Sequence, residues 1–197
     1  MFIVVSAPSG TGKTSICRKL MNLHPELHFS VSHTTRPPRP DETNGRDYHF
    51  VSEESFRQGI ATGAYAEWAE NYGYLYGTPM QNMASLPEKG FDLLLDIDRK
   101  GANALKEKFA NGIYVFILPP SMDELRRRIQ RRGSESGSVL EQRFTKAIGE
   151  IREAFWYNYL IFNDHLDDAV QRLQAVYLAE KCRTERLMES IQLLFPQ

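Results

Sequence analysis

The sequence predicts an α/β fold: a parallel sheet flanked by helices, carrying a small mixed-β insert and a helical lid. Three observations predict it. Short, continuously apolar runs recur at Phe2–Ser6, Leu93–Ile97, Tyr114–Leu118 and Leu160–Asn163. Runs that do not alternate are what burial on both faces of a parallel sheet produces. Helical segments separate these runs, the rhythm of right-handed strand–helix–strand crossovers. Between about Ser30 and Thr78 that rhythm breaks into Thr-, Tyr-, Pro- and Gly-rich sequence with shorter β-like pieces.

The first run passes directly into Ala7-Pro8-Ser9-Gly10-Thr11-Gly12-Lys13-Thr14. Glycines let backbone N–H groups converge on phosphate oxygens without interference from a Cβ. The helix expected from Thr14 to about Met21 points its positive end at the same anion. Lys13 is placed to reach the β- and γ-phosphates of a nucleotide, and the Thr14 hydroxyl to ligate Mg²⁺. The strict P-loop pattern has glycine at the first position, where this chain has Ala7, small enough to keep the turn if its φ is negative. A plain Gly/Ser turn is the alternative. The order strand, glycine turn, Lys-Thr, helix favours the phosphate cradle.

The insert follows. Its β-like pieces lie near Phe29–His33, His49–Val51, Tyr65–Glu70 and Tyr74–Gly77, interrupted by one helix at about Glu53–Ile60. In Ser30-Val31-Ser32-His33-Thr34-Thr35-Arg36-Pro37-Pro38-Arg39-Pro40 the prolines hold an extended segment from which Arg36 and Arg39 project. Two arginines near the Tyr48 hydroxyl suit a phosphate monoester, although a solvated loop with surface arginines has the same composition. Glu67, in Ala66-Glu67-Trp68, is either a surface acid on an edge strand or a base reader. A carboxylate only accepts, and the Watson–Crick edge of guanine offers two adjacent donors, whereas adenine presents an acceptor at N1. Hydroxyls of Ser32 and Thr78 are candidates to donate to guanine O6.

Leu93-Leu94-Leu95-Asp96-Ile97-Asp98 is an apolar strand ending in acids, which at the C-terminal edge of a parallel sheet face the ligand crevice. Asp96 or Asp98 could hold Mg²⁺ through water, and either could instead cap the next helix. Ser121-Met122-Asp123-Glu124 and Ser138-Val139-Leu140-Glu141 are capping boxes that start two more helices. Between them lie Arg126–Arg132, with Arg143 beyond. Arg126, Arg127 and Arg131 fit a solvated face. Arg128, Arg132 and Arg143 fit a cationic lid that offsets repulsion between phosphates, with Gly133 and the Gly137 region as hinges. A last long helix is expected from Asp167-Asp168 to about Met188.

Composition sets the limits. The 197 residues suit one domain with a mobile insert, and 42% hydrophobic content supports a real core. A net charge of −1 argues against a dedicated nucleic-acid binder. Cys17 and Cys182 are far apart and read as reduced thiols. Phe2–Val5 is too short for a signal or a membrane span, so no membrane partner and a cytoplasmic location are expected.

Taken together, these residues resemble the guanylate kinases of the nucleoside monophosphate kinase group, over about residues 2–185. The segment Thr34-Thr35-Arg36-Pro37-Pro38-Arg39 combined with the P-loop is the most specific match. The resemblance implies a core P-loop domain (2–31, 79–120 and 151–190), a GMP-binding insert (32–78) and a lid (121–150). It implies transfer of phosphate from ATP to GMP, and to dGMP, with Mg²⁺. By position, Arg36, Arg39, Tyr48 and Tyr76 would hold the GMP phosphate; Ser32, Glu67 and Thr78 would read guanine, with Asp98 nearby. Ala7 through Thr14 would hold ATP, with Asn163 near the adenine, and Lys13, Arg128, Arg132 and Arg143 would serve the transferring phosphate. His33 stands where members often have Ser, and Arg99-Lys100 where Gln commonly precedes the glycine. Kinase-like scaffold domains that bind acidic peptides resemble the enzymes but usually lack a working P-loop, and a regulatory GTPase would need an Asn-Lys-x-Asp motif that this chain does not have.

Overall fold

The computed structural model describes residues 1–88, 90–132 and 137–195, and gives only the backbone of 85–88, 132, 137, 138, 189 and 190. The chain opens with β1 (Phe2–Ser6), α1 (Lys13–Leu23) and β2 (Leu27–Phe29). It continues through β3 (His33–Thr34), β4 (His49–Phe50), α2 (Glu53–Ala61), β5 (Tyr65–Asn71) and β6 (Tyr74–Pro79). Then come α3 (Met80–Glu88), β7 (Asp92–Asp96), α4 (Arg99–Lys108) and β8 (Ile113–Leu118). The last elements are α5 (Met122–Arg132), α6 (Gly137–Arg152), β9 (Tyr159–Phe162), α7 (Leu166–Lys181) and α8 (Thr184–Gln192).

Five strands form a parallel sheet in the order β2-β7-β1-β8-β9. Both faces of the inner strands β7, β1 and β8 are covered, which explains their unbroken apolar runs; β9 departs from the expectation, because it is an edge strand and leaves Leu160 and Phe162 exposed on one face. Ile3, Val5, Leu94, Val115 and Ile117 pack against Ile16, Cys17 and Leu20 of α1 and Val170 and Leu173 of α7. Val4, Leu93, Leu95, Tyr114 and Phe116 face the other way, toward Ala102 and Leu105 of α4. Cys17 is buried and Cys182 exposed, and both are free thiols. No helix among the described residues is long and apolar enough to cross a membrane.

The insert folds as a mixed four-stranded sheet, β4-β3-β6-β5. Its own small core stacks Phe56 of α2 on Tyr65 (centroids 4.4 Å apart) beside Leu75. The capping boxes meet different fates. Glu124 N–H donates to Ser121 Oγ at 3.1 Å, as a cap should. Helix α6 begins at Gly137, one residue before Ser138, whose side chain lies outside the described residues, as does Gly133.

Two segmentations differ from the sequence expectation. Phe29–His33 is not one β piece: β2 belongs to the core sheet and β3 to the insert sheet. Asn82 of α3 fixes the crossing point, its Nδ2 donating to Ser30 Oγ (3.1 Å) and the Val31 carbonyl (3.3 Å). The final helix is also two helices. Cys182 N–H bonds back to Ala179 and Glu180 carbonyls, the tightened geometry of a helix end. Buried Glu180 accepts from the Tyr159 hydroxyl at 2.5 Å and pairs with Arg183 Nε at 3.0 Å, so a tertiary hydrogen bond and a local charge pair meet at this turn, which has neither Gly nor Pro.

Candidate active site

Parallel strands aim their C-terminal ends at one edge, and the sheet order reverses beside β1, which creates a crevice there. Residues 7–12 leave β1 at this edge and turn through Gly10 (φ 90°) and Gly12 (φ 89°), left-handed conformations that glycine adopts without a Cβ penalty. Gly12 is then the residue from which α1 starts. A Cβ on Gly12 would lie 2.6 Å from Asn163 Nδ2. That amide donates to the Thr11 carbonyl at 2.6 Å. Asn163 is buried, so in this structure it braces the phosphate loop from beneath.

Lys13 is ion-paired with Asp96 and donates to the Ile97 carbonyl at 3.1 Å. Burial alone would weaken its hold on a proton, but the Asp96 charge and hydrogen bond outweigh this and hold the pKa above its ordinary value. The ammonium is therefore charged at neutral pH. The Thr14 hydroxyl lies 3.5 Å from Asp96 Oδ2. Hydroxyl plus carboxylate at the foot of a phosphate loop is an oxygen donor set suited to a hard divalent cation. Asp98 does something else: its Oδ1 accepts the Gly101 N–H at 2.8 Å and caps α4.

A cavity of about 250 Å³ runs from the phosphate loop into the insert. Of the residues expected to touch ligands, Ala7 through Thr14, Ser32, Arg39, Tyr48, Glu67, Tyr76, Asp96, Asp98 and Arg143 line it. Arg39 is 68% exposed and 3.8 Å from Glu42. Burial, with the nearby Asp96 charge, pushes the Tyr48 phenol up to about 12, so it remains a hydroxyl donor. Arg36 lies behind the wall, forked onto Glu42 at 2.7 and 2.8 Å and close to the Tyr48 ring, 5.6 Å from its centroid. Glu42 is a partner that the sequence does not single out, because loop residues of one charge do not announce which opposite charge they meet.

Glu67 is 3% exposed. Its Oε1 accepts both the Thr78 N–H (3.1 Å) and the Thr78 hydroxyl (2.6 Å). Thr78 is thus committed to the carboxylate, and Ser32 is the hydroxyl left at the cavity wall. Burial pushes the Glu67 carboxyl up to about 7; the Thr78 hydrogen bonds oppose this and the Asp98 charge adds to it.

The opposite wall is α6. Arg143, Lys146, Ala147 and Glu150 follow at helical spacing and all face the cavity. Lys146 bonds Asn71 Oδ1 and lies over the Tyr72 ring at 4.3 Å, so α6 touches the tip of the β5–β6 hairpin. Lys146 and Glu150 were not singled out from sequence, where only their spacing from Arg143 marks them. Arg128 is placed elsewhere. It pairs with Glu124 at 2.8 Å and reaches the Asn163 carbonyl at 3.4 Å. There it lines a second cavity of about 350 Å³ with Gly10, Gly12, Ser15, Arg131 and Asn163. Arg131, read from sequence as a solvated residue, thus shares that opening. The Arg132 side chain lies outside the described residues.

A glycine phosphate cradle with a charged lysine, at the switch point of a parallel sheet and facing a separate small β-sheet across one cavity, defines a P-loop nucleotide-binding protein with room for a second ligand. A sequence model described as guanylate kinase matches residues 1–180. A guanylate kinase of Geobacter sulfurreducens is 48% identical over 192 residues, 98% of this chain and 95% of that one. One of Syntrophus aciditrophicus is 52% identical over 191 residues, covering 97% and 92%. The crystal structure of guanylate kinase from Anaplasma phagocytophilum superposes with a TM-score of 0.80 at 34% identity, over 94% of this chain and 88% of that one. The chain belongs to the guanylate kinase family, the ATP:GMP phosphotransferases, whose substrates are nucleotides and whose chemistry uses a divalent metal.

Proposed function

We propose that the cavity binds GMP in the insert and the ATP phosphates on residues 7–14, giving ADP and GDP. The observation that carries this is the continuity of one cavity from Glu67 and Ser32, through Arg39, Tyr48 and Tyr76, to Lys13. In this reading the core is 2–31, 79–120 and 151–190, the insert 32–78 and the lid 121–150. Glu67 accepts from guanine N1–H and the exocyclic amine, Ser32 donates to O6, and Thr78 holds Glu67. Arg39, Tyr48 and Tyr76 hold the acceptor phosphate, with Arg36 behind them. Arg128 reaches the transferring phosphate from the side of Gly10 and Gly12, and Asn163 borders the adenine. The resemblance to the family makes dGMP a second acceptor in this reading. The location is cytoplasmic.

The metal is Mg²⁺, held by Thr14 and, through water, by Asp96. When bound it neutralises charge on the β- and γ-phosphates. The protein's own contribution is positional and electrostatic. A phosphate monoester is largely dianionic at neutral pH, its second pKa being about 6. It needs no protein base. Lys13 and Arg143 reduce the repulsion as donor and acceptor phosphates approach, and the lid excludes water from the phosphoryl group.

The test is conversion of GMP to GDP with ATP, compared in the wild type and Arg39→Ala. One charge-assisted contact to phosphate is worth roughly 1.5–3 kcal/mol. The KM for GMP should therefore rise about 10- to 100-fold, with the KM for ATP nearly unchanged. An unchanged GMP KM would remove Arg39 from the acceptor site.

A further inference from the structure

Gly101 is buried in the first turn of α4, with its N–H already satisfied by the Asp98 cap. Its φ is not positive, so the backbone does not require glycine, and glycine weakens a helix relative to alanine. Space does require it. A Cβ there would lie 2.5 Å from Glu67 Oε2 and 3.1 Å from Glu67 Cδ. The carboxylate is gripped from the other side, where Thr78 holds Oε1 with two hydrogen bonds. Glu67 and Thr78 are also direct partners across β5 and β6. Seven residues along the same helix, Lys108 Nζ donates to the Ala66 carbonyl at 2.9 Å. Helix α4 therefore sets the height of β5 at its far end and the seat of the Glu67 carboxylate at its near end.

We infer that Gly101 is a specificity-determining positioning residue: the missing side chain on α4 is what lets the Glu67 carboxylate sit where both of its oxygens can serve the base. The inference rests on the reading of Glu67 as the guanine contact. The atom a new Cβ would meet is the end of a flexible side chain, not backbone. An alanine is thus accommodated by swinging the carboxylate aside, and the fold survives while the alignment does not. The consequence is chemical. Guanine offers two donors to a carboxylate, N1–H and the exocyclic amine. Hypoxanthine, in inosine monophosphate, offers N1–H alone. A carboxylate turned off axis keeps one hydrogen bond more easily than two, so preference for GMP over inosine monophosphate is the quantity Gly101 protects.

The experiment compares kcat/KM for GMP and inosine monophosphate in the wild type, Gly101→Ala, Glu67→Gln, Glu67→Asp and the Gly101→Ala/Glu67→Asp double variant, with the KM for ATP as a measure of the unaltered donor side. Gly101→Ala should lower the GMP-to-inosine ratio about tenfold or more, the worth of a charge-assisted hydrogen bond, through the acceptor KM. Aspartate is one methylene shorter and leaves room for the Cβ. Adding Gly101→Ala to Glu67→Asp should therefore change the ratio by less than about twofold, a non-additivity expected only of residues in contact. If Gly101→Ala cannot be folded but the double variant can, the contact is established by that rescue. A wild-type ratio in Gly101→Ala beside a collapsed ratio in Glu67→Gln overturns the role of Gly101. A wild-type ratio in Glu67→Gln overturns the reading of Glu67 itself. Equal losses from Gly101→Ala in the wild-type and Glu67→Asp backgrounds also overturn the inference, because the effect then does not pass through the carboxylate.

Discussion

Lys13→Ala should lower kcat by about a thousandfold or more, about 4 kcal/mol of transition-state stabilisation. Phosphoryl transfer leaves the protein little covalent work, so positioning and charge carry the acceleration. Lys13 is the one ammonium that the phosphate loop itself contributes to the cavity, and Asp96 keeps it protonated. Its removal has a second effect. Asp96 is only 14% exposed, and an acid stripped of its partner in such a place destabilises the fold. A lower Tm is therefore expected beside the lower kcat. The two are separated by measuring kcat at a temperature where circular dichroism shows the variant fully folded. A variant that is folded yet turns over within about tenfold of wild type would exclude Lys13 from the transition state.

Glu67→Gln should lower kcat/KM for GMP by about two orders of magnitude or more and shrink the GMP-over-AMP ratio further. A site built to pair two donors rejects partners that leave its polar groups unmatched. The amide turns one acceptor into a donor that confronts guanine, while amide oxygen and nitrogen together match the adenine edge. The same residue predicts a pH dependence. Its folded pKa of about 7 lies above the ordinary 4.5, and guanine needs the carboxylate. The wild-type KM for GMP should rise as pH falls below 7, and Glu67→Gln should lose the part centred near 7 while keeping the part set by the GMP phosphate near 6.

The sign for stability follows by linkage. A carboxyl that holds its proton more tightly when folded makes the folded state lose stability as pH rises from 4.5 through 7, and the loss persists above 7. At pH 8 that loss is on the order of 3 kcal/mol. Ligand-free Glu67→Gln should therefore melt higher than wild type at pH 8, with the difference vanishing near pH 4.5. An unchanged GMP-over-AMP ratio in this variant would contradict the assignment of Glu67.

The phosphate loop and central strands were legible because their signals are local: an apolar run, two glycines and Lys-Thr are contiguous in sequence. The insert was legible as a break in rhythm, since Thr, Tyr, Pro and Gly suit short strands and turns. What escaped is tertiary pairing. Nothing near Thr78 says that its hydroxyl will meet the Glu67 carboxylate. Nothing near Asn163 says that its amide will meet the Thr11 carbonyl, more than 150 residues away. Nothing near Arg36 says that Glu42 will pair with it. The split between β2 and β3 escaped because Phe29–His33 suits either sheet, and Asn82, fifty residues on, selects the crossing. Which acid faces Thr14 was likewise open from spacing, and only the fold separates Asp96 beside Thr14 from Asp98 at the α4 cap.

The most direct test of the account is ADP release from ATP and Mg²⁺ with GMP, dGMP, AMP, CMP and UMP offered in turn as acceptors. The account predicts strong turnover with GMP, turnover with dGMP, and little with the other three. A folded sample that binds GMP but releases no ADP with any acceptor would contradict it, and would make the cleft a binding module.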